Sequence, residues 1–271
     1  MGLLAAVILM LTLSPVHAAG AQEDGDPVRI ERWDVSVAVQ SNASLDIREE
    51  QVVRFGEGEF TNGSRSLSIR QFEGMTDVQV FVDGEQYTEA DSGEPGTFFW
   101  QVRGPIVTIN WFFPQTSMTT HTFTVLYTVV GAVEFDAGIS NRLIWDAIPV
   151  DHRRPIDASR VTVIIPPEGE IDLEVPPVTY GVESDVTVTD ESIVTFEMGA
   201  IAVGQGVRVE VYFRLPDEFA IPEPIELPGG DPNSIIGPRA LLILEIGVFV
   251  ATLVAVIVVW RRRKATQPPE G

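Results

Sequence analysis

Beyond residues 1–21 the chain holds two histidines, His121 and His152. His152 sits in Asp151-His152-Arg153-Arg154-Pro155, with Asp146 and Asp157 nearby and Ser159 beyond. These are the parts of a Ser-His-Asp relay, where a carboxylate orients an imidazole that takes a hydroxyl proton. The Gly-x-Ser-x-Gly elbow that presents such a serine does not occur. The segment therefore reads first as an exposed inter-strand loop whose arginines pair with surplus carboxylates. His121 opens an alternating run and reads as a turn or strand-end residue. Asp24-Gly25-Asp26 and Asp185, Asp190 and Glu191 are oxygen clusters of the kind Ca²⁺ favours, but no Asp-x-Asp-x-Asp-Gly loop ending in Glu frames them. No glycine-rich loop leads from a strand into a helix, so a phosphate cradle is not expected. Cysteine is absent, which removes disulfides, thiolate metal sites and a thiol nucleophile. The expectation is a chain with no cofactor and no catalytic residues.

A second set of residues suits binding. In Phe55-Gly56-Glu57-Gly58-Glu59-Phe60-Thr61-Asn62-Gly63-Ser64-Arg65, glycines permit tight folding, aromatics flank the loop, and Arg65 is a bidentate donor. Such a loop on a rigid scaffold can hold a partner. The structural alternative is a long hairpin connection with Phe55 and Phe60 in the core. Near the C terminus, Gly247, Ala251 and Ala255 recur every four residues, a small-residue stripe that permits close helix packing. Glu245 lies in the same apolar stretch, about 200° around a helix from Gly247 and about 7.5 Å inside Ala240. It either snorkels to the surface beside Arg239 or contacts a protein partner in the membrane or envelope.

These residues need elements to position them, and the two ends of the chain are the most legible. Residues 3–13 form an uncharged apolar run of eleven, too short to span a bilayer. Pro15 ends it and Ala18, Ala19, Gly20 and Ala21 follow, which is the pattern of a secretory signal peptide over residues 1–21. An uncleaved anchor is the alternative. Residues 240–260 are 21 residues with one charge, reaching about 31 Å as a helix, the thickness of the hydrocarbon core. Arg261-Arg262-Arg263-Lys264 follows, so residues 261–271 are expected in the cytoplasm and the N-terminal body outside. Residues 216–239 carry six prolines and acidic side chains, which reads as a stiff stalk reaching up to roughly 70 Å. The net charge of −21 hides an asymmetry. Residues 239–271 carry a surplus of three positive charges, leaving −24 on the remainder. So acidic a body argues against a nucleic-acid partner.

Residues 28–215 alternate with period two. Trp33, Val35, Val37 and Val39 are separated by Asp34, Ser36 and Ala38, and Leu45, Ile47, Val52, Val53 and Phe55 return after the Ser41-Asn42 turn. Val78, Val80 and Val82 run up to Asp83-Gly84, a hairpin signal. Further strands are expected at 97–102, 106–111, 122–130, 142–148, 160–165, 185–189, 193–197 and 207–214. About a dozen strands broken by Gly, Pro and Asn predict an all-β, antiparallel β-sandwich ectodomain, as one large or two packed lobes, on a single C-terminal transmembrane helix. A seam between lobes is expected near residues 149–155.

Several segments carry a family pattern. They are Arg29-Ile30-Glu31-Arg32-Trp33-Asp34-Val35-Ser36-Val37, Ala43-Ser44-Leu45-Asp46-Ile47-Arg48-Glu49, the Phe55–Arg65 run, Tyr127-Thr128-Val129-Val130-Gly131-Ala132-Val133, and Leu143-Ile144-Trp145-Asp146-Ala147-Ile148. The set resembles the extracellular domain of the YciQ-like predicted membrane proteins over about residues 28–216. The resemblance implies a secreted-side β domain tethered by a membrane helix, with no assigned reaction. Larger members continue into further membrane segments and Gly-rich tails. The expected function is a single-pass, membrane-anchored binding or assembly module at the cell surface. The alternatives are a surface hydrolase and a membrane-complex subunit docking through Glu245 or the Gly247, Ala251 and Ala255 stripe.

Overall fold

A computed structural model describes residues 27–135 and 140–215. The readings of residues 1–21, 216–239, 240–260 and 261–271, with Glu245, Gly247, Ala251 and the Asp24–Asp26 cluster, lie outside the described residues. Among the described residues there are seventeen strands. They are β1 (Val28–Val39), β2 (Leu45–Phe55), β3 (Phe60–Ser68), β4 (Gly74–Val82), β5 (Glu85–Gln86), β6 (Thr88–Glu89), β7 (Thr97–Arg103), β8 (Ile106–Thr116) and β9 (Thr120–Val130), followed by β10 (Val133–Glu134), β11 (Asn141–Ile148), β12 (Ser159–Ile164), β13 (Glu170–Ile171), β14 (Val178–Tyr180), β15 (Asp185–Thr189), β16 (Ile193–Met198) and β17 (Val207–Arg214). The helical content is one 3₁₀ turn, Ile69–Gln71, capped by the Ser68 hydroxyl. Among the described residues no helix is long and apolar enough to cross a membrane.

The strands form three sheets. The first runs β15-β16-β12-β1-β2-β9-β4-β5, the second β3-β8-β7-β6, and the third β10-β11-β17-β13, with β14 also on β17. Period-two alternation builds them: along β1, Trp33, Val35, Val37 and Val39 are buried while the residues between are half-exposed. Turn chemistry sets the register. Asp83 and Gly84 both take positive φ between β4 and β5, the geometry of a two-residue hairpin turn. Ala43 does the same after Ser41-Asn42, where the Gln40 N–H donates to Ser44 O.

The expected antiparallel sandwich needs correction at one central pairing. β12 lies parallel to β1, with Trp33 opposite Ser159 and Ala38 opposite Ile164. The reason is connectivity: β12 arrives after a long excursion through the third sheet, not from a hairpin, and parallel pairing requires such a crossover. The short β6–β7 pairing is parallel too. The same excursion bears on the expected seam, because β12 carries the chain past residues 149–155 back into the first sheet. One hydrophobic cluster includes buried side chains of all three sheets, among them Val35, Ile109 and Trp145.

Candidate functional site

Alternation along β2 puts Leu45, Ile47 and Glu49 on the inward face, so a carboxylate is driven into the core. A buried charge is tolerated only when paired and hydrogen-bonded. Arg65 of β3 supplies the pair: its Nε–H donates to Glu49 Oε2 at 2.7 Å, both side chains being at most 2% exposed. Tyr127 of β9 donates its hydroxyl to Glu49 Oε1 at 2.6 Å. The Arg65 Nη1 donates to Ser66 O at 2.6 Å, Nη2 lies 3.5 Å from Ala147 O, and the guanidinium sits 5.3 Å from the Trp33 ring centroid. Arg65 thus touches the first sheet through Glu49 and Trp33, its own sheet through Ser66, and the third through Ala147. Burial works against its charge, but the Glu49 carboxylate outweighs that and holds its pKa above the ordinary value. Burial, with Glu49 beside it, pushes the Tyr127 phenol well up.

Beside this knot runs a groove. β3 is the outer strand of its sheet and is paired only to β8. Phe60 and Asn62–Ser66 line a cavity of about 510 Å³, and Arg65–Ser68 line a second of about 400 Å³. Asp151–Arg154 also line the first and Ile148–Asp151 the second, and the two cavities share Arg65, Ser66, Pro149 and Asp151. The first is floored by aromatics. Phe55 lies 4.9 Å from Phe60 and 5.8 Å from Phe113, and Trp111 lies 5.7 Å from Phe123. Trp33 and Trp111 line it as well, and their buried indole N–H groups donate to no protein atom. A buried donor left unpaired costs about 1–3 kcal/mol. Gly63 in mid-strand has a local cause: a Cβ there would lie 2.5 Å from the Trp111 ring.

A second carboxylate cluster lies on the third sheet. Arg142 Nε donates to Glu210 Oε1 at 2.6 Å, Tyr212 donates to the same oxygen at 2.8 Å, and Tyr180 donates to Oε2 at 2.7 Å. Burial raises the Glu210 pKa, but the hydrogen bonds from Arg142, Tyr180 and Tyr212 together outweigh it and hold the value down to about 2. Arg208 and Asp146 form a neighbouring pair at 2.5 Å.

The His152 relay drawn from sequence is not assembled. His152 is buried, with Nδ1 2.6 Å from Arg154 O and Nε2 2.7 Å from Gln205 O. Asp146 holds Arg208, Asp157 holds Arg29, and the Ser159 hydroxyl donates to Trp33 O. His152 therefore ties the 149–155 segment to the turn before β17, so the exposed-loop reading is right for Asp151 and Arg153 and wrong for His152. His121 is the histidine with relay connectivity. Its Nδ1 is 2.6 Å from Asp83 Oδ2, and its Nε2 is 2.9 Å from Thr116 Oγ1 and 3.1 Å from Thr119 Oγ1. Asp83 Oδ1 also accepts the Thr122 N–H, so the cluster joins two hairpin ends. Asp185 and the Asp190-Glu191 turn stand at opposite ends of β15 and do not form one oxygen cluster. Among the described residues no group of three His, Asp or Glu can hold a metal ion.

Arg65 is brought into the functional region in a different role from the expected one. It is an inward strand residue whose Nε and Nη1 donate to protein groups, and the connection between β2 and β3 shrinks to residues 56–59. Glu49 and Tyr127 were missed, although a glutamate in phase with Leu45 and Ile47 signals a buried partner. The free edge of β3 was missed because pairing is not visible in strand alternation.

The described part is thus an all-β domain built around a buried ion pair, with a groove along one sheet edge. Its sequence matches the family model "Predicted membrane protein (DUF2207) N-terminal domain" over residues 29–213, and the chain belongs to this family. The segments that resemble the YciQ-like proteins fall inside that match. No curated protein matches the sequence. Among solved structures, yeast LTA4 hydrolase in complex with bestatin is 11% identical with a TM-score of 0.42, over 74% of this chain and 33% of that one. The M1 zinc metallopeptidase from Deinococcus radiodurans is 12% identical with a TM-score of 0.37, over 68% of this chain and 42% of that one. The chain spans less than half the length of either, and likeness at this level carries no argument about its chemistry.

Proposed function

We propose that this chain is a non-enzymatic binding module, held on the extracytoplasmic side of the membrane by a single span at residues 240–260, which engages a partner through the groove along β3. The groove carries the reading: it is a preformed, aromatic-floored depression of the size used for specific recognition, about 300–1,000 Å³ per pocket, beside a free strand edge. Membrane attachment is supported by the family and by the apolar run at residues 240–260. Placing a photo-cross-linking residue at position 62 in living cells tests it, with position 187 on the distant edge strand β15 as the control. The expected result is an adduct from Asn62 and none from Thr187. Equal yields from both positions reject the groove as the site.

A second reading, a surface hydrolase, is favoured by one observation, the Asp83–His121–Thr116 chain of contacts. Thr116 is almost fully buried and shares its hydroxyl with Thr119 at 2.5 Å, which suits a structural clasp. Turnover of chromogenic esters that His121→Ala and Thr116→Val both abolish would establish the hydrolase instead.

A further inference from the structure

We infer that the groove accepts an extended segment of another polypeptide, which adds to the second sheet as a new strand on β3; this rests on the binding-module reading above. The argument starts from which backbone groups of β3 are free. Ile69 N–H donates to Pro105 O at the end of the β3–β8 ladder, and the register runs from Ser68 opposite Ile106 to Asn62 opposite Phe112. In an antiparallel pair, hydrogen-bonding residues alternate. Leu67, Arg65 and Gly63 therefore turn their N–H and C=O groups to β8, while Ser66, Ser64 and Asn62 turn theirs outward. Ser66 O already accepts from Arg65 Nη1, so the free outward groups are the N–H of Asn62, Ser64 and Ser66 and the C=O of Asn62 and Ser64. The groove wall is thus a ladder of donors and acceptors at strand spacing.

Length separates this edge from the others. β3 has nine residues, against five for β15 and two each for β5, β6, β10 and β13. Nine residues reach about 30 Å. Proteins usually blunt a long free edge with charge, proline or a covering element. Asn62, Ser64 and Ser66 are exposed, uncharged and no proline interrupts them.

The chemistry of the remaining walls suits a peptide. The outward N–H and C=O groups of β3 can pair with a peptide backbone, which carries both a donor and an acceptor at each non-proline residue. The aromatic floor at the Phe60 end takes an apolar side chain. Exposed Asp151 and Arg153 at the rim offer one charge of each sign, so the groove sets no single-sign demand. The chain's own flanking segments are poor occupants. Residues 216–238 contain six prolines, each lacking the N–H that a ladder needs, and Gln22-Glu23-Asp24-Gly25-Asp26 has no strand former.

The test uses the full chain in nanodiscs and a displayed library of random peptides about ten residues long, the length of a long strand. Selected peptides should alternate apolar and polar residues, and their binding should slow amide exchange at Asn62 and Ser64 about tenfold or more. Ser64→Pro removes an outward N–H that β8 does not use, and should weaken the same peptides about tenfold or more. If that variant does not fold, exchange in the unsubstituted protein decides alone. The inference is overturned if no peptide binds more tightly than about 1 mM, if bound peptides leave Asn62 and Ser64 exchange unchanged, or if the chain dimerises through β3. A groove that refuses peptides yet gives the position-62 adduct in cells rejects the added strand and leaves the binding module standing.

Discussion

Glu49 and Glu210 are each gripped by an arginine and by tyrosine hydroxyls, yet the two grips sit in opposite surroundings. At Glu49 the carboxylate, Arg65 and Tyr127 are all sealed. At Glu210 the carboxylate is buried, but Arg142 is 35% exposed in its side chain and Tyr180 is 51% exposed. The first joins three sheets and cannot relax into water. The second faces solvent on one side, where water can replace a lost partner. Similar chemistry is thus a structural knot in one place and a surface brace in the other. Arg65, an attractive binding residue by type, is thus engaged in holding the sheets together, and the uncharged strand edge beside it is the surface proposed for recognition.

The largest effect should come from cutting one half of the sealed knot. Arg65→Met leaves Glu49 buried without a counter-charge and should cost about 3–5 kcal/mol in denaturant unfolding. Adding Glu49→Leu should recover a substantial part of that loss, since an apolar pair replaces an ion pair at little cost. A double variant as unstable as the single would show that the knot is not an isolated ion pair.

The Glu210 brace should instead appear as acid sensitivity. Its folded pKa of about 2 lies below the ordinary carboxylate value near 4.3. The folded state therefore binds fewer protons, and its contribution is complete above about pH 4.3 and lost as pH falls toward 2. Asp172, lowered by the Ser140 hydroxyl despite burial and further by Arg214, loses its contribution in the same direction. Unfolding free energy followed from pH 6 to 2 should fall by roughly 1–3 kcal/mol for Glu210, because solvent at the exposed Arg142 and Tyr180 screens part of the shift, and Glu210→Gln should flatten the profile. An unchanged profile would remove the brace.

Gly63→Ala should be intermediate, about 1–3 kcal/mol, because the new methyl displaces the Trp111 ring. Its fluorescence should shift as the ring moves. The smallest effect should be Arg208→Gln, which breaks an exposed pair with Asp146 and should change stability by less than about 1 kcal/mol.

How much of this was legible follows from which interactions are local. The alternation of Trp33–Val39 and the Asp83-Gly84 turn depend on neighbours in the chain, and both were readable. The parallel β1–β12 pairing joins Trp33 to Ser159, and the knot joins Glu49, Arg65 and Tyr127. Those contacts are set by sheet order, which period-two patterns do not encode. Arg65 reads as part of a loop because three glycines, Gly56, Gly58 and Gly63, fall within the Phe55–Arg65 run. Here Gly63 serves a ring on the next strand. The His152 relay failed for the same reason: Asp146, Asp157 and Ser159 are close in sequence and are carried to separate partners by β11 and β12.

The cysteine-free sequence permits the most direct test of the groove as an extracytoplasmic site. Asn62→Cys and Thr266→Cys would each be the sole thiol in the chain, and each is treated with a membrane-impermeant maleimide on intact cells. The account predicts that Asn62→Cys labels at once, that a saturating groove peptide suppresses the labelling, and that Thr266→Cys labels only after permeabilisation. Labelling of Asn62→Cys only after lysis, or at a rate indifferent to bound peptide, would contradict it.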